Sequence, residues 1–190
     1  MTIDRKFLLN LGAFQIGWFA CVWGGANGMP ALGALAVAVI VAVHLFYTAE
    51  RPGTELALIT VAALIGIVWD SALVALGWLS YPSGTLVQGM APYWIIAMWM
   101  LFATTLNVSM GWLKQRYTLA VLLGAVGGPM AYFAGFKLGG VEFKTLALGL
   151  GAQAVGWATL MPVLTVLAER LNGMQPALQP AIVASSDQRG

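Results

Sequence analysis

Charge is what this chain has least of. Only 8% of its 190 residues are Asp, Glu, Lys or Arg, and nine cations against seven anions leave a net charge of +2. A soluble domain needs roughly a quarter of its residues charged, so that class is excluded. The small net charge gives no footing for nucleic acid. A single cysteine, Cys21, cannot close an intrachain disulfide and reads as a small packing residue in an apolar run. One histidine, one cysteine and one deep carboxylate cannot furnish a metal centre, a histidine-rich di-iron motif or paired haem ligands, so neither metal nor cofactor is expected. Phosphate loops are missing as well. Gly24, Gly25 and Gly28 stand without a P-loop lysine, and Gly127-Gly128-Pro129 falls inside an apolar run.

What the chain has is apolar length. Hydrophobic residues make up 60% of it, and the mean hydropathy is +0.84. Six segments approach the roughly 20 residues that cross about 30 Å of hydrocarbon as a helix. They are Phe7 to Trp23, Pro30 to Tyr47, Leu56 to Trp78, Tyr93 to Leu113, Thr118 to Leu138 and Thr145 to Ala168. The first follows Arg5 and Lys6 but shows no signal-peptide cleavage site and carries Asn10 and Gln15, which favours a span. Short connections favour antiparallel neighbours. The expectation is an all-α polytopic membrane protein: a six-helix transmembrane bundle over residues 1–170, followed by a flexible cytoplasmic tail over 171–190.

Lys and Arg set the orientation. Arg5, Lys6, Arg51, Lys114, Arg116, Arg170 and Arg189 fall on one side, and only Lys137 and Lys144 on the other. The first side is then cytoplasmic, with both termini on it. Trp23, Trp78 and Trp94 mark the outer interface, and Tyr47, Trp112 and Tyr117 the inner one.

Against this background Asp70 stands out. It lies deep in an apolar run that holds no Lys or Arg, where a carboxylate costs about 2.5–3.5 kcal/mol on insertion scales, so such residues face the bundle interior and mark candidate sites. At about 1.5 Å per residue, Asp70, Tyr132 and Gln153 share one depth, with Gln15 and Asn107 lower. Each of the first three shares a stripe with glycines that let helices approach closely: Gly66 and Gly77 beside Asp70, Gly124 and Gly128 below Tyr132, Gly149 and Gly156 flanking Gln153. Trp18, Trp69, Trp99 and Trp157 fall at mid-span rather than at an interface, and are candidates to line a pocket around Asp70. His44 lies about 16 Å below Asp70 by the same rise, too far for a dyad, and reads as an interfacial residue near Glu50. Gly127-Gly128-Pro129 and Pro162 should kink the fifth and sixth spans.

Four runs carry a resemblance: Asn10 to Val22 (NLGAFQIGWFACV), Leu64 to Gly84 (LIGIVWDSALVALGWLSYPSG), Pro92 to Leu113 (PYWIIAMWMLFATTLNVSMGWL) and Gly127 to Phe143 (GGPMAYFAGFKLGGVEF). In this order, over about residues 7–170, the chain resembles the bacterial inner-membrane family catalogued as domain of unknown function 2878. The resemblance implies a multi-pass protein of the bacterial inner (cytoplasmic) membrane. The family's setting among envelope-lipid proteins implies membrane lipids, and lipid-modifying enzymes, as partners. Members often carry His between the Asn and Ser of the third of these runs. This chain has Val108 there, which removes a general base at that position.

Two functional readings follow. In one, an intramembrane enzyme modifies or cleaves lipid with Asp70 as acid or base, while Tyr132, Gln153, Gln15, Asn107 and the mid-span tryptophans hold the substrate. In the other, the same pocket binds lipid or a small molecule without covalent chemistry, in a transport or accessory role.

Overall fold

The computed structural model describes residues 5–175. Six long helices follow one another: α1 (Arg5–Ala26), α2 (Pro30–Val43, continuing as a π-helical turn to Thr48), α3 (Pro52–Ala75), α4 (Tyr93–Leu106), α5 (Tyr117–Lys137) and α6 (Leu146–Arg170). Two two-residue strands, β1 (Leu79–Ser80) and β2 (Glu142–Phe143), pair antiparallel and are the only sheet among the described residues. Five helices, all but α4, are long and apolar enough to cross a membrane.

Local chemistry explains the boundaries. Pro30 and Pro52 open α2 and α3, where a missing N–H costs nothing. Gly77 and Gly139 end α3 and α5 in the left-handed conformation (φ of 67° and 81°), and each turns the chain into its short strand. Pro129 and Pro162 lie inside α5 and α6, and both helices run on through them.

The fourth helix ends earlier than the apolar run predicts, at Leu106 instead of Leu113. Backbone N–H groups of Val108 and Met110 fold back onto the Thr105 carbonyl. Asn107 spends its side-chain amide on other elements, donating to Glu55 Oε1 and to the Leu171 carbonyl. Apolar composition carried the prediction past a point where side-chain hydrogen bonds close the helix. At about 1.5 Å per residue, α4 spans about 21 Å.

α1 packs against α2 and α4, and α3 packs against α4. α5 and α6 pack chiefly on each other, with α6 reaching α3 and α4. Trp94, Trp99, Leu101, Ala103 and Leu106 of α4 are buried, which makes this shortest helix the central one. α2 shows apolar residues outward, with Leu35, Val39 and Val43 exposed.

Each end of the bundle is tied by polar contacts. At one end Glu55 is fully buried. His44 Nε2 meets its Oε2 at 3.1 Å, and the Gly173 amide and Asn107 donate to its Oε1. The Arg51 guanidinium donates to the Asn172 carbonyl, and the Arg51 amide to that of Gly173. Residues 171–173, expected to belong to a flexible tail, are instead fastened to the bundle. Residues 176–190 lie outside the described residues. Burial lowers the Lys114 amine from its ordinary value, against the opposing pull of Glu55 and Glu169. At the other end, Ser83 Oγ donates to the Gly25 carbonyl, Trp94 Nε1 to that of Ser83, and the Lys144 amide to that of Trp78.

Candidate functional site

Asp70 is completely buried on α3, and three aromatic side chains donate to it. Tyr132 of α5 reaches Oδ1 at 2.6 Å, Tyr81 reaches the same oxygen at 2.9 Å, and Trp99 Nε1 of α4 reaches Oδ2 at 2.7 Å. A buried carboxylate is tolerable only when its oxygens are satisfied this way. The three bonds also lock the three rings. Tyr81, in the loop after β1, is held by burial and by neighbouring Asp70 well above its ordinary range, so it stays a donor.

The rings rest on glycine. A Cβ at Gly66 would lie 2.2 Å from Trp99 Cγ, and one at Gly128 would lie 2.3 Å from Trp157 Cγ, so only glycine admits either ring at that depth. Trp99 and Trp157 then stack with centroids 4.8 Å apart and planes 9° from parallel. Phe102 meets Trp157 edge-on at 5.3 Å, and Tyr81 meets Trp94 edge-on at 5.5 Å.

These rings wall a cavity of about 240 Å³ between α1 and α4 on one side and α5 and α6 on the other. α1 supplies Phe14, Trp18 and Val22. α4 supplies Trp94, Met98, Trp99 and Phe102. α5 supplies Leu123, Gly124, Gly128, Ala131, Tyr132 and Gly135, and α6 supplies Trp157 and Met161. From Leu123 to Gly135 the α5 wall is about 18 Å long at about 1.5 Å per residue. The lining is almost wholly apolar, and Asp70 is not part of it. The sequence suggests a polar pocket centred on Asp70. The structure instead sets the carboxylate behind the wall, where it holds Trp99, Tyr132 and Tyr81 by their polar edges.

Of the other residues singled out in the sequence, Trp18, Trp99, Trp157 and Tyr132 line this cavity. Gln153 is buried beside the Tyr132 hydroxyl. Its Oε1 accepts from Trp69 Nε1 at 3.5 Å, while its Nε2 is outside hydrogen-bond geometry with any described residue. Trp69 faces a separate shallow depression with Trp78, Gly151 and Val155. Besides Trp69, two further residues do not join the site. Gln15 is exposed on α1, because apolar Gly17 and Cys21 occupy the buried face, and Asn107 belongs to the Glu55 cluster at the end of the bundle. His44 pairs with buried Glu55 and not with Glu50, which is exposed.

Three partners were not singled out from the sequence. Tyr81 sits outside the apolar runs, and only the fold over β1 returns it to Asp70. Glu55 reads as the rim of a span, and its burial depends on residues 171–173 closing over it. Asn10 donates to the Thr104 carbonyl and accepts from Ser109 Oγ at 2.6 Å, tying α1 to the end of α4.

Fold and site together define a helical membrane protein with an aromatic-walled apolar cavity and a buried carboxylate behind one wall. Residues 7–163 match the family model described as "Protein of unknown function (DUF2878)", and the chain belongs to that family. No curated protein and no solved structure matches it.

Proposed function

We propose that this is a bacterial inner-membrane protein of six spans, with both termini cytoplasmic, that binds one apolar lipid chain in the slot between α1 and α5. The observation that carries the reading is the cavity itself. It is apolar and walled by rings, and the residues of α5 that line it run about 18 Å along the helix, close to one leaflet's share of the ~30 Å hydrocarbon core. Orientation rests on the cationic loops: Arg51, Lys114, Arg116 and Arg170 cluster at the end held together by Glu55, opposite Lys137 and Lys144. α4 serves as the sixth span although it is short, because neighbouring helices enclose it and the hydrocarbon thickness does not bear on it directly.

Binding is favoured over catalysis because both oxygens of Asp70 are taken by donors and neither lines the cavity. Asp70 then acts through the rings it holds. Lipid-modifying enzymes of the same membrane are the natural partners of such a carrier or accessory protein.

The test is to purify the protein and measure bound lipid by native mass spectrometry, alongside an Ala131→Trp variant that fills the slot from α5. Wild type should retain a lipid that the variant lacks, and equal lipid content in the two would overturn the reading. Whole-membrane lipid profiles of cells carrying Asp70→Asn separate the enzyme alternative: accumulation of an unprocessed lipid, at unchanged protein level, would favour catalysis.

A further inference from the structure

Gln15 lies near the midpoint of α1, about 15 Å from either end of the helix, on the face turned away from the bundle. Its side-chain amide makes no hydrogen bond with any described residue. Thr60 and Thr159 are also exposed within spans, but each hydroxyl donates to a carbonyl of its own helix, at Leu56 and at Val155. Gln15 instead presents two N–H donors and a carbonyl acceptor to lipid tails, which offer neither, at a depth that water does not reach. In a bilayer such an amide is satisfied by bonding across to another helix.

The residues around it form a seam. Leu8, Gly12, Gln15 and Phe19 are all exposed and stand at i, i+4, i+7 and i+11, the spacing that keeps one stripe of a helix against a second helix crossing at a shallow angle. A Cβ at Gly12 would meet nothing within 4 Å, so packing inside this bundle makes no use of the missing side chain, whereas a helix laid on the seam would. The stripe is distinct from the faces already used: Phe14, Trp18 and Val22 line the cavity, and Gly17 and Cys21 are buried.

We propose that this stripe joins two copies of the chain, α1 against α1 about a two-fold axis normal to the membrane, with the two Gln15 amides hydrogen-bonded across it. A second copy meets both demands of the face. Copies inserted in the same sense carry Gln15 at the same depth, and an amide that both donates and accepts is complementary to itself, as a two-fold contact requires. Gly12 then faces Gly12, which lets the two backbones approach. The interface does not depend on what fills the cavity.

The full-length protein, labelled at its C-terminus with donor or acceptor fluorophores, can be reconstituted into phosphatidylcholine vesicles at falling protein-to-lipid ratios, and energy transfer then gives the midpoint of dissociation. Gln15→Leu keeps the bulk and removes the amide. It should move the midpoint about three- to thirty-fold toward higher protein density, the range of one interhelical hydrogen bond in a bilayer, and Gln15→Asn should recover part of the shift. Leu8→Cys, on the seam, should form a disulfide dimer on oxidation. Leu9→Cys, equally exposed but about 100° round the helix, should not; buried Cys21 is retained in both. A wild type that stays monomeric at every density would overturn the proposal, as would an unshifted midpoint in Gln15→Leu or equal cross-linking of the two cysteine variants. Should Gln15→Leu lose helix content, wild-type dissociation and the cysteine pair decide.

Discussion

Replacing Asp70 by alanine removes the acceptor for three buried donors at once: the Trp99 N–H and the Tyr81 and Tyr132 hydroxyls. Each orphaned donor costs about 1–3 kcal/mol, so the loss should be about 3–9 kcal/mol, before any relaxation of the rings. Typical folded proteins have about 5–15 kcal/mol in total, so Asp70→Ala should be at the edge of folding. Asp70→Asn should lie in between. Its amide oxygen can serve Trp99, and its NH₂ can donate to hydroxyls that rotate to accept, but those hydroxyls then lose their own acceptor. Tyr132→Phe removes one donor from a carboxylate that keeps two, at about 1.5–3 kcal/mol. The expected order of stability is wild type, Tyr132→Phe, Asp70→Asn, Asp70→Ala, measured by denaturant titration of the purified protein in micelles with helix content as the signal. Asp70→Ala within about 0.5 kcal/mol of wild type, the range of an inert surface substitution, would refute the claim that this carboxylate holds the wall together.

Gly66→Ala should act on the same wall from behind: its methyl would meet the Trp99 ring at 2.2 Å, costing about 1–3 kcal/mol in overpacking, whereas Gly127→Ala, with nothing within 4 Å, should be neutral or slightly stabilising. Equal stability of the two variants would show that the Gly66 socket is not required. Glu55→Ala should leave His44, Asn107 and the Gly173 amide without their shared acceptor, at about 3–5 kcal/mol. Amide exchange at Gly173 should then speed up by at least about ten-fold if the fastening contributes as much as 1.4 kcal/mol. Unchanged exchange there would mean that Glu55 does not fasten residues 171–173. A fluorescent reporter fused after Gly190 should mature, and a phosphatase active only in the periplasm should stay silent at the same position. The opposite result would reverse the topology.

Much of this protein is legible along the chain because the bilayer imposes simple one-dimensional demands. Apolar runs of span length predict five of the six long helices to within a few residues at most ends, and the shared depth of Asp70 and Tyr132 anticipates a hydrogen bond that the fold makes at 2.6 Å. Glycines spaced along helix faces foretell close approach, and Gly66 and Gly128 seat the two stacked tryptophans. Depth and face, however, say nothing about rotation of one helix against another. On that rotation depends whether Gln15 faces in or out, and it faces out. Whether Asp70 opens into the cavity or stands behind its wall depends on which way three rings lean, and their donors pull them across the carboxylate. Tyr81 and the Gly173 amide come from loop and terminal segments with no periodicity to read, and only the folded chain returns them to Asp70 and Glu55. Sequence by itself determined the helical membrane class and the position of most of the apolar helices, because hydrophobic length and helical rise are local quantities. Tertiary structure decided that the cavity is apolar and that Asp70 is its buttress, because hydrogen-bond partners are chosen in three dimensions among residues far apart in the chain.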